Sequence, residues 1–219
     1  EKVLITGTLN DRDMSTLKNH NEITHLYVTA NAEGYTDWEE VYFDSSSSIT
    51  EIYLAQATGI KTYAFSGCTA LTSVSLPQAT YIHESAFSGC TSLTSVNLPQ
   101  ATYIDFRAFW DCTSLTSVSL PQATYIDSGA FSGCTALTSV SLPQATYIGT
   151  YPFKDCTALT SIYLPTGVTF GNTPFDGCTS LTTLYLNCPE ADFDEATHST
   201  YGGVNWTDIY YGYRGSGDY

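Results

Sequence analysis

The chain has 219 residues, of which 42% are hydrophobic and 13% are charged, and its net charge is −15. The length and the apolar content predict one sizeable folded domain and exclude a disordered acidic tail. The acidic balance excludes a nucleic-acid-binding protein, which would carry a basic stripe. No apolar run in the sequence is long enough to cross a bilayer.

The negative charge is concentrated at the two ends of the chain. Residues 1–54 contain ten acidic and three basic residues, and residues 188–219 contain six acidic and one basic residue. The region between them contains only six acidic and three basic residues. The net charge of this central region is therefore only −3.

The first 48 residues predict an N-terminal cap with an atypical first repeat. Apolar runs over residues 3–5 and 23–28 predict two short strands. Residues 10–18 predict a helix, because Asn10 or Asp11 can cap its N-terminus. We expect this helix to cover the open end of the following repeats, since terminal repeats need a polar outer face.

From residue 49 to residue 188 the sequence repeats every 22 residues in seven copies. The clearest copy is LTSVSLPQATYIHESAFSGCTS, which begins at Leu71 and recurs from Leu93, Leu115 and Leu137. A strict period of about 20–30 residues with L-x-x-V-x-L in each copy is typical of a leucine-rich solenoid. We therefore predict one domain, a mainly β or α+β right-handed leucine-rich repeat solenoid with the N-terminal cap helix. Residues 189–219 would form a C-terminal cap or tail.

The alternation within each repeat predicts which side chains point inward. Val74 and Leu76 alternate with Ser73 and Ser75, so the apolar pair should face the core. Pro77 has no N–H and should end the strand. The complete inward set predicted for this copy is Leu71, Val74, Leu76, Ala79, Ile82, Ala86, Phe87 and Cys90.

The cysteines predict a buried ladder of free thiols. Six of the seven keep the 22-residue period (Cys68, Cys90, Cys112, Cys134, Cys156 and Cys178). Side chains at one repeat position point the same way, which favours free thiols over disulfides, although stacked copies lie within bonding range. A metal ladder is less favoured, because no histidine shares the period and no C-x-x-C pair occurs. Cys188 lies outside the ladder, and the sequence assigns it no role.

The sequence contains no motif of a known enzyme class. It has no G-x-S-x-G, H-E-x-x-H, P-loop or G-x-G-x-x-G element, and its four histidines occupy four different contexts. We expect no catalytic residue, no cofactor and no metal site, and a hydrolase is the least favoured class. Glu190, Asp192, Asp194 and Glu195 could form a cation site, but the glycine and the final glutamate of an EF-hand loop are missing, which favours a solvated acidic turn.

The pattern L-x-x-V-x-L-P-x-A-T-x-I-x-x-x-A-F-x-G-C resembles the BspA-type leucine-rich repeat family, also called the Treponema pallidum type. The resemblance covers residues 49–188, with repeats of 22 residues rather than the usual 23. It implies a secreted or surface-attached bacterial protein used for adhesion or protein binding, and it carries no catalytic residue over. The first residue is Glu1 rather than Met, which suits a trimmed form that has lost an export signal.

Two groups of residues are candidates for binding. The first is a row of tyrosines at one repeat position: Tyr81, Tyr103, Tyr125 and Tyr147. This row could be a stiffening ladder or a contact face. The second is a set of departures from the repeat, chiefly Arg107 and Trp110, because interface energy concentrates in Trp, Tyr and Arg. We expect a partner protein, from a host matrix or a neighbouring cell, with a glycan as the alternative.

Overall fold

A computed structural model of the chain describes residues 1–5, 22–29, 43, 47–187, 204 and 208–211. Over these residues the chain forms sixteen strands and no helix, and it winds into a parallel β-solenoid of about seven turns, about 22 residues apart. We number six turns by the buried phenylalanine that each contains, as follows: turn 1 Phe65, turn 2 Phe87, turn 3 Phe109, turn 4 Phe131, turn 5 Phe153 and turn 6 Phe175.

Each regular turn contributes one strand to the front of the solenoid and one to the back. The front strands follow the L-x-x-V-x-L element: β1 (Lys2–Ile5), β2 (His25–Val28), β3 (Glu51–Leu54), β5 (Ser73–Ser75), β7 (Ser95–Asn97), β9 (Ser117–Ser119), β11 (Ser139–Ser141), β13 (Ser161–Pro165), β15 (Thr183–Asn187) and β16 (Asp208–Tyr211). The back strands have two residues each: β4 (Gly59–Ile60), β6 (Tyr81–Ile82), β8 (Tyr103–Ile104), β10 (Tyr125–Ile126), β12 (Tyr147–Ile148) and β14 (Thr169–Phe170).

All strands are parallel, and the pairing places identical repeat positions side by side. Val74 lies opposite Val96 on the front, and Ile82 lies opposite Ile104 on the back. The back strands form one six-stranded sheet, whereas the front strands form two five-stranded sheets that separate between β7 and β9. Each side chain therefore stacks on its own copy in the next turn, and a substitution in one turn changes a single row.

The core has the composition that the repeat predicts. All eight predicted inward residues of the copy that begins at Leu71 are at most 3% exposed, which confirms their assignment. The phenylalanines stack along the axis with ring centroids 5.2–5.8 Å apart and planes within 11° of parallel. Because the stack is continuous, each ring is packed on both faces by its neighbours.

The first two predicted strands are confirmed as β1 and β2, which pair with each other. The sequence reasoning did not identify the back sheet, because a two-residue strand is too short to show an alternating pattern. The predicted cap helix over residues 10–18 falls outside the described residues, and every described residue is non-helical. The right-handed winding and the limits at residues 48 and 188 stay predictions.

The front face is not uniformly accessible. Ser119 and the other small outward residues near it are exposed, but Ser141 is 8% exposed and Tyr163 is 2% exposed. These two lie side by side in the register of β11 and β13. The front face is therefore covered at these two outward positions, although Ser139, on the same strand as Ser141, is exposed.

Candidate functional site

The site begins with two backbone positions that recur in every turn. Both hold positive φ, in the left-handed region that suits glycine. The first column comprises Tyr63, Ser85, Arg107, Gly129, Tyr151 and Thr173, with φ between 43° and 65°. The second comprises Gly67, Gly89, Asp111, Gly133, Asp155 and Gly177, with φ between 55° and 79°. A residue with a Cβ costs roughly 1–2 kcal/mol in this region, so the non-glycine residues reduce stability locally.

Turns 3 and 5, which we call the substituted turns, carry large side chains at these columns. In turn 3 the column residues are Arg107 and Asp111, and Trp110 replaces the usual serine between them. In turn 5 the corresponding residues are Tyr151, Asp155 and Lys154. 

Turn 4 carries small residues at every one of these positions: Gly129, Ser132 and Gly133. The result is a groove of about 620 Å3 along turn 4, with the substituted turns as its walls and Ser128 and Thr150 also lining it. We call it the turn-4 groove.

Arg107 organises the wall that belongs to turn 3. Its Cζ lies 4.8 Å from the centroid of the Phe106 ring and 5.5 Å from the Trp110 ring, which are cation–π distances. Its aliphatic stem lies over Gly129, where an added methyl group would be 3.3 Å from the Arg107 Cγ. The guanidinium therefore fixes both aromatic rings while its stem lies across the small turn.

Two carboxylates extend from the substituted turns over the glycines that follow them. A methyl group on Gly133 would overlap Asp111, and one on Gly177 would overlap Asp155. Burial raises the pKa of Asp111, and the negative charge of Asp155 raises it further. Asp111 therefore extends from turn 3 toward turn 4, and Asp155 extends from turn 5 toward turn 6.

Lys154 supports the wall that belongs to turn 5. Its Nζ donates a hydrogen bond to Asp176 Oδ2 at 3.1 Å, and it lies 5.1 Å from the centroid of the Tyr151 ring. The hydrogen bond to the Asp176 carboxylate is the main cause that raises the pKa of Lys154. Tyr151 therefore stands beside a fixed positive charge, as Trp110 does beside Arg107.

The exposed aromatic residues of the described chain all belong to turns 1, 3 and 5. They are Tyr63 (48% exposed), Phe106 (36%), Trp110 (38%) and Tyr151 (41%). Trp110, a candidate from the sequence, is among them. Exposed aromatic side chains of this size are enriched at interaction surfaces, and here they share one side of the solenoid, which we call the aromatic edge.

The tyrosine row forms a ladder on the back sheet. Ring centroids of consecutive members are 4.5–4.7 Å apart, so the predicted stacking is confirmed. The Tyr81 hydroxyl donates to Asp105 Oδ2 at 3.2 Å, and burial followed by the Asp105 charge raises the pKa of Tyr81 to about 12. Half-buried rings with engaged hydroxyls suit a stiffening role.

Of the six residues that the sequence suggests for binding, the structure places Arg107 and Trp110 in the turn-4 groove and the four tyrosines elsewhere. The reasoning missed Tyr63, Asp111 and Asp155. Asp111 and Asp155 stand where the other four copies carry Gly, and Tyr63 stands in a column where two of the six copies carry Ser or Gly. Comparing the repeats column by column would have found all three.

The six repeat-phase cysteines line the interior of the solenoid, away from the groove. Each of the six repeat-phase thiols donates a hydrogen bond to the carbonyl oxygen of a Phe 25 residues earlier, with Sγ–O distances of 2.9–3.4 Å. Burial raises the pKa of the Cys112 and Cys134 thiols, which makes the reactive thiolate scarce. The ladder is a structural feature of the core.

We expect these thiols to react with a thiol reagent only after unfolding. Cys68, Cys90, Cys112, Cys134 and Cys156 are buried free thiols, so labelling in native buffer should leave all five unmodified, and denaturant should expose them. Reductant should not change the melting temperature. A large drop in melting temperature with reductant would instead indicate disulfides and contradict this assignment.

Within the described residues there is neither a candidate metal site nor a helix that could span a membrane. No group of three or more His, Cys, Asp or Glu side chains that could hold a metal ion occurs in the described part of the chain. The acidic segment from Glu190 to Glu195 and Cys188 fall outside that part. Nor does any described helix reach the length and apolarity needed to cross a membrane.

Comparison with known proteins relates this repeat to one family and to several solved structures. Residues 36–127 and 102–197 match the BspA-type leucine-rich repeat region in six copies. A leucine-rich repeat protein from T. pallidum is 24% identical, with 74% of this chain and 72% of that chain covered and a TM-score of 0.44. A leucine-rich repeat protein from Bacteroides ovatus is 20% identical, with 77% of this chain and 62% of that chain covered and a TM-score of 0.40.

A leucine-rich cell surface protein from Faecalibacterium prausnitzii is 18% identical to this chain. The match covers 90% of this chain and 78% of that chain, with a TM-score of 0.37. No curated protein sequence matches the chain.

Proposed function

Because the chain belongs to the BspA-type leucine-rich repeat family, we propose that it is a non-enzymatic binding and adhesion module of a bacterial surface or secreted protein. Its ligand docks on the turn-4 groove and the adjoining aromatic edge. The observation that carries this proposal is the placement of large side chains on two turns that flank a turn of small residues. A uniform repeat would present no such recess.

The backbone strain at the groove supports the same proposal. Arg107, Asp111, Tyr151 and Asp155 all adopt positive φ, where the copy between them has glycine at both columns. Glycine at these positions would remove an unfavourable backbone conformation at each. Residues that reduce stability and yet expose their side chains are better explained by ligand recognition than by folding.

The charge distribution restricts the kind of ligand. The central region has three basic residues, and two of them, Arg107 and Lys154, line the groove together with Asp111 and Asp155. The groove therefore offers both hydrogen-bond donors and acceptors beside aromatic rings. Such a mixture suits a polar, uncharged surface better than a strongly anionic or cationic one.

We expect Trp110→Ser to weaken binding without unfolding the protein. The change restores the residue that turn 4 has at this position, Ser132, and it removes an exposed ring, so the melting temperature should stay unchanged. Loss of one interface aromatic should weaken binding by about 1–2 kcal/mol. The measurement is binding to a panel of immobilised extracellular-matrix proteins and glycans.

The matched control for this variant is Gln122→Ser, which changes an exposed side chain outside the groove lining. It should bind like the unaltered chain. If Trp110→Ser binds normally but melts at a much lower temperature, Trp110 belongs to the core and the groove is not the docking site.

A hydrolase is the alternative that the same groove allows, since Asp111 and Asp155 both line it. The described lining residues include no histidine, and the carboxylates project from turns that stand two strand spacings, roughly 10 Å, apart. We expect no turnover of ester, peptide or glycoside substrates. Turnover that disappears with Asp111→Asn would replace the binding proposal by an enzymatic one.

A further inference from the structure

The aromatic edge has a regular spacing along the solenoid axis. Its members belong to turn 1 (Tyr63), turn 3 (Phe106 and Trp110) and turn 5 (Tyr151), so each platform is separated from the next by one turn. Core phenylalanines in successive turns beneath them are 5.2–5.6 Å apart. Along the axis the platforms therefore recur about every 10–11 Å, two strand spacings. Phe106 and Trp110 lie on either side of the repeat position that Tyr63 and Tyr151 occupy.

Each platform is held in place by a polar or charged neighbour. The Tyr63 hydroxyl donates to Glu84 Oε1 at 3.2 Å, and Arg107 lies against both rings of turn 3. Lys154 lies beside Tyr151. Rings that are fixed before the ligand arrives lose little conformational entropy on binding.

The platforms are separated by hydrophilic turns. Ser88 and Gly89 lie between the first and second platforms, and Gly129, Ser132 and Gly133 lie between the second and third. A protein interface requires a contiguous apolar core of well-packed side chains, which this alternation does not provide. Isolated rings at a fixed interval, with hydroxyl and carboxylate groups between them, instead suit a chain of sugars.

Extended β-1,4-linked glycans have the matching repeat. Successive sugars in such a chain are turned over relative to each other, so every second ring presents the same apolar C–H face. Two solenoid turns rise about 10 Å, which is close to the length of one disaccharide unit. Every second sugar could therefore stack on a platform, and the hydroxyls between could reach the small turns and the carboxylates of Asp111 and Asp155.

We propose that the aromatic edge binds a neutral, extended β-1,4-linked polysaccharide that lies along the solenoid axis from Tyr63 to Tyr151. This rests on the proposed function and specifies its ligand. The four turn spacings that separate these tyrosines span roughly 20 Å, about two disaccharide units. The net charge of −15 makes a polyanionic glycan unfavourable.

The test is calorimetric titration of the whole chain with cello-oligosaccharides and N-acetylated chito-oligosaccharides, each as a disaccharide and as a hexasaccharide. Maltohexaose, which has the same number of sugars but α linkages, is the matched control ligand. We expect a β-1,4 hexasaccharide of one of the two series to bind at least about tenfold more tightly than its disaccharide. Maltohexaose should not bind.

Three variants that restore residues of the consensus turns complete the test: Trp110→Ser, Tyr63→Ser and Tyr151→Gly. Each should lower hexasaccharide affinity by about tenfold and leave the melting temperature unchanged or higher, which shows that the fold is intact. Gln122→Ser should bind the hexasaccharide normally.

The inference is overturned if neither hexasaccharide binds at millimolar concentration, if affinity does not increase with length, or if maltohexaose binds equally well. If a matrix protein instead binds in a way that Trp110→Ser abolishes, the ligand is a protein and only the proposed function stands. If Trp110→Ser leaves all binding unchanged, both proposals fail.

Discussion

Phe109→Ala should lower the free energy of unfolding by about 3–5 kcal/mol, the usual cost of emptying a core Phe site. The ring is fully buried and stacks between Phe87 at 5.3 Å and Phe131 at 5.2 Å. Both neighbours are themselves fixed in the stack, so the cavity cannot collapse easily. Denaturant unfolding measures the loss.

The same turn supplies the control for this variant. Phe106→Ala removes an equal side chain that is 36% exposed, and surface substitutions usually change stability by about 0.5 kcal/mol or less. A large difference between the two variants is therefore expected. Equal denaturation midpoints would show that the repeat-phase phenylalanine does not face the core.

Gly133→Ala should destabilise the protein more than the same change in a regular turn. Its φ of 79° disfavours any residue with a Cβ, and the added methyl group would overlap the Asp111 carboxylate. We expect a loss of about 2–3 kcal/mol, of which roughly 1–2 is the backbone conformation and the rest the displaced carboxylate. Denaturant unfolding gives this value directly.

Gly89→Ala is the matched control, because Gly89 has a similar φ of 72° but the nearest atom to an added methyl group is Gly67 Cα, at 3.7 Å. This variant should lose only the part of the free energy of unfolding that comes from the backbone conformation. In the Asp111→Gly background, Gly133→Ala should lower the free energy of unfolding by the same smaller amount. An equal cost with and without Asp111 would mean that the carboxylate does not lie over Gly133.

The fold could be predicted from the sequence because its information is periodic. The inward positions of one copy, such as Val74 and Phe87, follow from alternation and from recurrence at one phase, and stacking multiplies that information over the turns. The back strands could not be predicted in this way, since Tyr81–Ile82 is too short to show a period. Their pairing comes from the stacking of the turns.

The candidate site was only partly predictable. Arg107 and Trp110 stand out as departures from the repeat, but the sequence does not show that Gly129 and Gly133 form the recess beside them. That recess depends on side chains two turns apart, which are separated by 44 residues in the case of Asp111 and Asp155. The sequence suggests the tyrosine row as a binding candidate because the row is regular, although regularity in a solenoid usually indicates packing.

The most direct measurement is made on the triple variant Arg107→Gly, Trp110→Ser and Asp111→Gly, which gives turn 3 the residues that turn 4 has at these positions. Glycine then replaces two residues that hold positive φ, so the free energy of unfolding should be unchanged or higher. Binding to the β-1,4 hexasaccharides and to the matrix-protein panel should be lost. A variant that keeps the stability and the full binding of the unaltered chain would contradict the assignment of the groove as the docking site.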